Sequence, residues 1–171
     1  MIVIVEGADL VGKSTLAAAL AQLHGWPIVK IRWALLGDPE IETRAMAAST
    51  IAILQATRPS VIFDRIYFSW WAYGPVLGYA VSYMPELIQA FAPVDDARLV
   101  VLTASADELA RRYNQQPDLY FSLDVIQAAN QRFRLLPGLL PPALPVLQLD
   151  TTRNDAEGVL SQVERFLAQP Q

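Results

Sequence analysis

The amino-acid sequence predicts an α/β fold in three layers, a five-stranded parallel sheet with helices on both faces. Short apolar segments alternate along the chain with longer segments of helical periodicity, which is typical of parallel sheets. The first apolar segment is β-branched and does not alternate with polar residues, as expected of a strand buried on both faces. A hydrophobic fraction of 53% in 171 residues, with 18% charged residues, predicts one globular domain spanning 1–171.

Five segments have the strand pattern, at residues 2–5, 27–31, 61–64, 98–103 and 144–150. Helices are expected after the first strand, at 39–57, after the capping box of Ser105 and Glu108, along the apolar stripe at 126–136, and after "NDAE" at 154–157. Prolines and a glycine interrupt the aromatic segment 67–93, which predicts a broken pair of helices. The polar stretch "YNQQPD" at 113–118 has the composition of a mobile flap over a site.

Composition and charge argue against several classes of function. The chain contains no cysteine and one histidine, which leaves neither a disulfide framework nor a zinc site of cysteine or histidine ligands. A formal net charge of −4 argues against stable nucleic-acid binding, because such binding depends on many lysine and arginine contacts with phosphate. The opening "MIVIV" lacks the features of a secretion signal, and prolines break the apolar run at 135–149. We therefore expect a cytoplasmic protein with no membrane partner.

The stretch "GADLVGKS" at 7–14 matches the pattern G-x-x-x-x-G-K-[ST] between a predicted strand and a predicted helix. Its glycines let the backbone turn with its amides pointing inward, so that the loop and the helix N-terminus attract phosphate. Lys13 can reach the β- and γ-phosphates of a nucleotide, and the Ser14 hydroxyl can bind Mg²⁺. The motif predicts a P-loop NTPase fold that binds a nucleoside triphosphate and Mg²⁺. The predicted ATP-binding residues are Gly7, Ala8, Asp9, Leu10, Val11, Gly12, Lys13, Ser14 and Thr15.

The rest of the sequence narrows the class of nucleotide-binding protein. A GTPase needs an Asn-Lys-x-Asp motif that reads guanine, and neither of the two lysines, Lys13 and Lys30, lies in one. ABC-type, motor and remodelling ATPases need a longer chain than 171 residues. A small phosphotransferase remains.

The stretch "VIFDRIYFSWWAYGP" carries the second signal. A buried strand that ends in Asp64 places a carboxylate beside the expected Mg²⁺ at the carboxyl edge of the sheet. Arg65 follows directly, where it can hold a second phosphate. The alternative is that Asp64 caps the next helix and that Arg65 is solvated.

Three stretches make the chain resemble the thymidylate kinase family and its nucleoside monophosphate kinase relatives. "EGADLVGKST" is similar to the phosphate loop of that family, "DRIYFSWWAY" to its D-R-x-x-x-S-x-x-A-Y signature, and "LDTT" to its adenine-side loop. The resemblance extends along essentially the whole chain. It implies an ATP- and Mg²⁺-dependent phosphotransferase that moves the γ-phosphoryl group of ATP to a (deoxy)nucleoside monophosphate. It also implies a homodimer formed through the apolar helices near 44–57 and 66–92.

The same resemblance assigns roles to individual residues. Lys13, Ser14 and Thr15 would hold ATP and Mg²⁺, and Asp64 would organise the water shell of the metal. The residues that would bind the acceptor are Asp9, Arg32, Arg44, Arg65, Ser69 and Tyr73. The residues that would act in catalysis are Lys13, Asp9, Arg65, Arg111 and Arg112, the last two beside a short lid near 111–120. This set suffices chemically because phosphoryl transfer needs mainly positioning and charge neutralisation.

Several alternatives remain open from the sequence. Arg111 and Arg112 lie late in a predicted helix, where the helix dipole favours cations in any case, and Arg32 has the alternative of a surface arginine. "WALLGDP" after Arg32 departs from the family's usual R-E-P-G pattern, and Leu10 stands where one branch of the family has arginine. The acceptor is therefore open between a nucleoside monophosphate, a nucleoside and another small molecule. Two other classes also stay open, a regulatory protein that uses ATP as a switch and a 5′-hydroxyl kinase of nucleic-acid ends.

Overall fold

The computed structural model describes residues 1–30, 39–56, 60–81 and 96–170. Its strands are β1 (Ile2–Gly7), β2 (Ile28–Lys30), β3 (Val61–Asp64), β4 (Ala97–Thr103) and β5 (Val146–Asp150). Its helices are α1 (Lys13–His24), α2 (Pro39–Ala56), α3 (Phe68–Tyr73), α4 (Ala106–Gln115), α5 (Leu123–Leu135) and α6 (Ala156–Leu167). Short 3₁₀ helices follow at Pro75–Leu77 and Leu136–Leu139.

The five strands form one parallel sheet in the order β2-β3-β1-β4-β5, which confirms the predicted sheet. The central strand β1 pairs with β3 on one side, where Val5 is opposite Asp64, and with β4 on the other, where Gly7 is opposite Leu102. The chain fills one half of the sheet with β2 and β3 and then crosses to the other half. In such sheets ligands bind beyond the carboxyl ends of the strands at the switch point, here the end of β1.

Helices pack around the sheet in two groups, which confirms the three layers. In one group α1 packs against α6 and lies on β1 and β3. In the other group α5 packs against α3 and α4 and lies on β1 and β4. Strands β1, β3 and β4 are buried along their whole lengths, as a uniformly apolar pattern predicts for central strands.

Two helices begin with the side-chain caps that the sequence indicates. Ser105 Oγ accepts a hydrogen bond of 3.2 Å from the Glu108 amide at the start of α4. Asp155 Oδ1 accepts one of 2.8 Å from the Gly158 amide at the start of α6. These caps fix the starts of α4 and α6, the helices that follow β4 and β5 in the sequence.

Two segments differ from the prediction in their boundaries. Within 67–81, α3 has only six residues, a 3₁₀ turn follows it, and residues 82–93 lie outside the described part of the chain. Helix α4 continues through Gln115, because the amide of Gln116 still bonds to the carbonyl of Arg112. Residues 113–115 of the polar stretch are therefore the last turn of α4, and residues 116–122 connect this helix to α5. No helix among the described residues is long and apolar enough to span a membrane.

Candidate active site

The phosphate loop connects the end of β1 to the first turn of α1. Three of its residues have positive φ angles, Gly7 at 145°, Leu10 at 67° and Gly12 at 95°. A Cβ atom at Gly7 would collide with the carbonyl oxygen of Leu102 in the neighbouring strand, so this position requires glycine. The loop ends at the N-terminus of α1, where the amides and the helix dipole favour an anion.

Lys13 is buried at the start of α1, with 5% of its surface exposed. Its ammonium donates to the Ala8 carbonyl within the loop and lies 3.9 Å from the Asp9 carboxylate. Burial, together with the positive charge of Arg65, lowers the pKa of Lys13 to about 7. A triphosphate in the loop would supply the negative charge that favours the protonated form.

The Ser14 hydroxyl and the Asp64 carboxylate meet beside the loop. Ser14 Oγ donates to Asp64 Oδ2 at 2.9 Å. Asp64 does not cap α3, because the N-cap position of that helix is Tyr67. Among the described residues no group of three or more acidic or histidine side chains could hold a metal. Magnesium needs no such group, since one or two protein oxygens, water and substrate phosphates usually bind it, and these two oxygens fit that role.

A lysine side chain also contacts the Asp64 carboxylate. Lys30 ends β2 in register with Asp64, and its ammonium lies 3.2 Å from Oδ2 of Asp64. Ser14 and Lys30 therefore approach one oxygen atom from different elements.

Asp9, inside the loop, is bound by Arg65 and Tyr73. Its carboxylate forms an ion pair with Arg65 and accepts a hydrogen bond of 2.6 Å from the Tyr73 hydroxyl. Its amide donates to the same hydroxyl oxygen at 2.8 Å. Burial alone would raise the pKa of Asp9, but the charges of Lys13 and Arg65 outweigh burial and lower it. Asp9 is therefore an ionised carboxylate that fixes Arg65 against the loop.

Glu6, directly before the loop, holds the segment around Arg65. Its fully buried carboxylate accepts hydrogen bonds of 2.7 Å from the Ile66 amide and from the Ser69 hydroxyl. Both bonds hold residues on the carboxyl side of Arg65, whose φ angle of 74° is uncommon for a residue other than glycine. Arg65 in turn donates to the Ser69 hydroxyl at 3.3 Å and to the Gly7 carbonyl at 3.4 Å. Burial raises the pKa of Glu6 to about 7.

A cavity of about 610 Å³ opens beside the phosphate loop. Its walls include Gly12 and Thr15, the arginines of α4, and residues 151–156 between β5 and α6. The volume lies within the range of small-molecule sites. Because the cavity is continuous with the loop, it can hold the nucleoside of a nucleotide whose phosphates lie in the loop.

Arg112 joins the walls of this cavity. Its guanidinium donates to the Leu10 carbonyl at 2.8 Å, to the Thr151 carbonyl at 2.8 Å and to the Thr151 hydroxyl at 3.1 Å. It also donates to Glu108 at 2.7 Å. Arg112 therefore reaches the phosphate loop, where its guanidinium binds the backbone carbonyl of Leu10.

Arg111 has different surroundings from its neighbour. Its side chain is 56% exposed and donates to Glu108 and Gln115 on the same helix. Hydrogen bonds from Arg111 and Arg112 lower the pKa of Glu108 to about 2. Arg111 is therefore the more accessible of the two arginines that α4 places in the wall of the cavity.

The structure brings most of the predicted site residues to one edge of the sheet. Those that contact one another directly are Asp9, Lys13, Ser14, Asp64, Arg65, Ser69 and Tyr73. Arg44 is exposed on α2, and Arg32 lies outside the described residues. Glu6 and Lys30 are site residues that the prediction missed, whereas Thr151 belongs to the "LDTT" stretch that resembles an adenine-side loop. Glu6 ends an otherwise apolar strand and Lys30 is one of two lysines in the chain, and these were the available signals.

Solved structures share this fold over nearly the whole chain. The chain is similar to the Bacillus subtilis YorR protein, solved in complex with phosphorylated GDP, at 18% identity and a TM-score of 0.71, covering 98% of this chain and 95% of that one. It is similar to a deoxyadenosine kinase from M. mycoides at 15% identity and a TM-score of 0.65, covering 98% of each chain. It is also similar to thymidylate kinase from Candida albicans at 17% identity and a TM-score of 0.69, covering 97% of this chain and 90% of that one.

The chain has the three-layer α/β P-loop fold of these structures. No protein-family model matches it, and the comparison with curated proteins gives no match. In this fold, the phosphate loop and the Ser14–Asp64 pair lie at the switch point of the sheet. At identities of 15–18% the similarity establishes the fold, and the reaction is inferred from the residues of the site.

Proposed function

We propose that the protein is an ATP-dependent nucleotide kinase that transfers the γ-phosphoryl group of ATP to a (deoxy)nucleoside monophosphate. The observation that carries this proposal is the charge pattern at the carboxyl edge of β1, β2 and β3. Three cations, Lys13, Lys30 and Arg65, lie there within 4 Å of the carboxylates of Asp9 and Asp64. Such an edge is suited to two phosphate groups and a metal ion at once.

The donor half of the proposal rests on the phosphate loop and the cavity beside it. The triphosphate would lie in the loop against Lys13, and the adenosine would occupy the cavity of about 610 Å³. Ser14 and Asp64 would hold Mg²⁺, which supplies charge neutralisation on the phosphate oxygens when it is bound. Two structurally similar proteins, a deoxyadenosine kinase and a thymidylate kinase, are phosphotransferases, which supports the same class of reaction here.

A phosphate acceptor suits this site better than a hydroxyl acceptor. A hydroxyl group must lose its proton to a general base, whereas a phosphate oxygen is already ionised. Asp9 has a lowered pKa and forms an ion pair with Arg65, so it is a poor proton acceptor. Glu6 is fully buried and cannot reach an acceptor that enters from solvent. His24, the one histidine of the chain, lies at the end of α1, where it contacts Glu164 of α6. Among the described residues, the placement of these groups favours a monophosphate.

In the proposed reaction an oxygen of the acceptor phosphate attacks the γ-phosphorus of ATP. The bond from that phosphorus to the β–γ bridging oxygen breaks, and its electron pair leaves with ADP. No proton transfer is needed, so the protein's part is to position the two phosphates and to neutralise their charge. Lys13 and Arg65 would do this directly, with Arg111 reaching from α4. Arg32, Arg44 and Tyr73 remain candidates for acceptor binding.

The proposal is tested by incubating the protein with Mg²⁺, ATP and each common nucleoside monophosphate or nucleoside, with the products identified by mass spectrometry. Formation of ADP and a nucleoside diphosphate in equal amounts is expected for at least one monophosphate. The Lys13→Ala variant, which should lose this activity, controls for a contaminating kinase. Phosphorylation of nucleosides alone would contradict the monophosphate acceptor. Hydrolysis of ATP with no acceptor would favour the regulatory alternative.

A further inference from the structure

Lys30 is a charged residue of the site that the phosphate loop and the Asp64 motif do not account for. It is the last residue of the edge strand β2 and is paired in register with Asp64. Its ammonium lies 3.2 Å from Asp64 Oδ2, the same oxygen that accepts the Ser14 hydroxyl at 2.9 Å. Lys30 therefore lies at the carboxyl end of β2, with its ammonium beside the expected metal position.

The exposure of Lys30 differs from that of the other cations at this edge. The side chains of Lys13 and Arg65 are 6% and 17% exposed, whereas that of Lys30 is 49% exposed. A lysine ammonium has three donors, and its contact with Asp64 uses one. Among the described cations at the ends of β1, β2 and β3, Lys30 is therefore the most accessible to a ligand that enters from solvent.

A purely structural role explains this placement poorly. A half-exposed ion pair contributes about 0–1 kcal/mol to stability. Asp64 already has a hydrogen-bond donor in Ser14. A cation beside an expected metal position is also unfavourable unless additional negative charge arrives there. A phosphate dianion next to the triphosphate of ATP would bring that charge.

We propose that Lys30 binds the phosphate group of the acceptor and thereby selects acceptors that carry a phosphate. The inference rests on the proposed nucleotide kinase function. It identifies Lys30 as the residue that discriminates between a monophosphate and its nucleoside. Lys30 donates hydrogen bonds to non-attacking oxygens of the acceptor phosphate and keeps its proton. The attacking oxygen forms its bond to the γ-phosphorus, and the bridging oxygen leaves with ADP as described above.

The test measures binding and kinetics in wild type, Lys30→Met, Lys30→Arg and a control, Arg165→Met. Arg165 is an exposed arginine of α6 that lines a surface hollow together with residues at the start of β5, so its loss removes one charge away from the site. The probes are dAMP, dCMP, dGMP, dTMP and their nucleosides, with dissociation constants from calorimetry. Thermal unfolding shows that each variant is folded.

For the best-bound monophosphate, Lys30→Met should raise the dissociation constant and KM at least tenfold and leave nucleoside affinity unchanged. The KM for ATP should change less than threefold, Lys30→Arg should recover most of the loss, and Arg165→Met should resemble wild type. Monophosphate binding that is within twofold of wild type in Lys30→Met would overturn the inference. The inference would also be overturned if the wild-type protein bound no monophosphate more tightly than the corresponding nucleoside. If wild type binds a monophosphate through Lys30 but transfers no phosphate, the proposed function fails and the inference stands.

Discussion

The carboxylate of Glu6 accepts a hydrogen bond of 2.7 Å from the hydroxyl of Ser69. This bond joins the strand that leads into the phosphate loop to the helix that follows Arg65. A second bond, from the Ile66 amide, also measures 2.7 Å, so the two bonds fix the backbone on the carboxyl side of Arg65. Arg65 can therefore keep its left-handed φ angle of 74° because Glu6 holds the residues after it.

Replacing Glu6 with alanine should destabilise the protein and weaken transfer. The Ile66 amide and the Ser69 hydroxyl would lose their buried acceptor, at a cost of about 3 kcal/mol in the free energy of unfolding. Arg65 would also lose its support, so transfer should fall more than ATP binding does. Urea denaturation measures the first effect, with Glu157→Ala on the exposed face of α6 as the control. Equal stability of Glu6→Ala and wild type would contradict the positioning role.

The raised pKa of Glu6 also predicts how stability depends on pH. Burial raises this pKa from 4.5 to about 7, so between these values the folded protein binds more protons than the unfolded chain. The contribution of Glu6 is therefore fully present below pH 4.5 and is lost as pH rises through 7, by an amount on the order of 3 kcal/mol. Glu6→Gln, which is permanently neutral, should lack this dependence. As pH rises from 5 to 8, the free energy of unfolding of wild type should therefore fall progressively relative to that of Glu6→Gln. A constant difference would show that Glu6 does not titrate in this range.

Asp64→Asn should raise the Mg²⁺ concentration needed for activity. Asparagine can still accept the Ser14 hydrogen bond, but it lacks the negative charge that attracts the metal and its water shell. We expect the Mg²⁺ concentration for half-maximal transfer to increase at least tenfold. Asp96→Asn serves as the matched control, because Asp96 lies before β4 at the opposite edge of the sheet and binds the N-terminus. An unchanged Mg²⁺ dependence in Asp64→Asn would exclude Asp64 from the metal site.

The two arginines of α4 should respond differently to substitution by alanine. Arg112→Ala removes hydrogen bonds to Leu10 and Thr151, so it should lower the melting temperature by several degrees and weaken ATP binding about tenfold. Arg111→Ala should leave the melting temperature nearly unchanged, because this side chain is 56% exposed, and should lower kcat. Thermal unfolding and steady-state kinetics separate the two effects. Equal effects of both variants on stability and kcat would contradict this division of roles.

The sequence predicts those parts of the site that one short segment defines. The phosphate loop and the strand ending in Asp64 each carry their own pattern, and the sheet follows from the alternation of strands and helices. Lys30 could not be placed, because its contact with Asp64 depends on β2 pairing with β3, a long-range choice. The different surroundings of Arg111 and Arg112 depend on the rotation of α4 against the loop, and adjacent residues of a helix face different directions.

Glu6 shows a further limit of sequence reasoning. A carboxylate at the end of an apolar strand can point to solvent or into the core, and its two donors lie 60 and 63 residues away in the chain. The polar stretch at 113–118 shows the opposite limit. Its composition is that of a loop, yet the hydrogen bonds of α4 extend through Gln115.

In the proposed kinase, Arg65 serves a second phosphate group, which a donor site alone does not need. The most direct measurement compares wild type with Arg65→Ala in two assays, the dissociation constant for ATP–Mg²⁺ and the rate of transfer to the best monophosphate. We expect at least a hundredfold loss of transfer with ATP affinity within threefold of wild type. Transfer that is unchanged in Arg65→Ala, or lost only in proportion to ATP affinity, would contradict this role of Arg65.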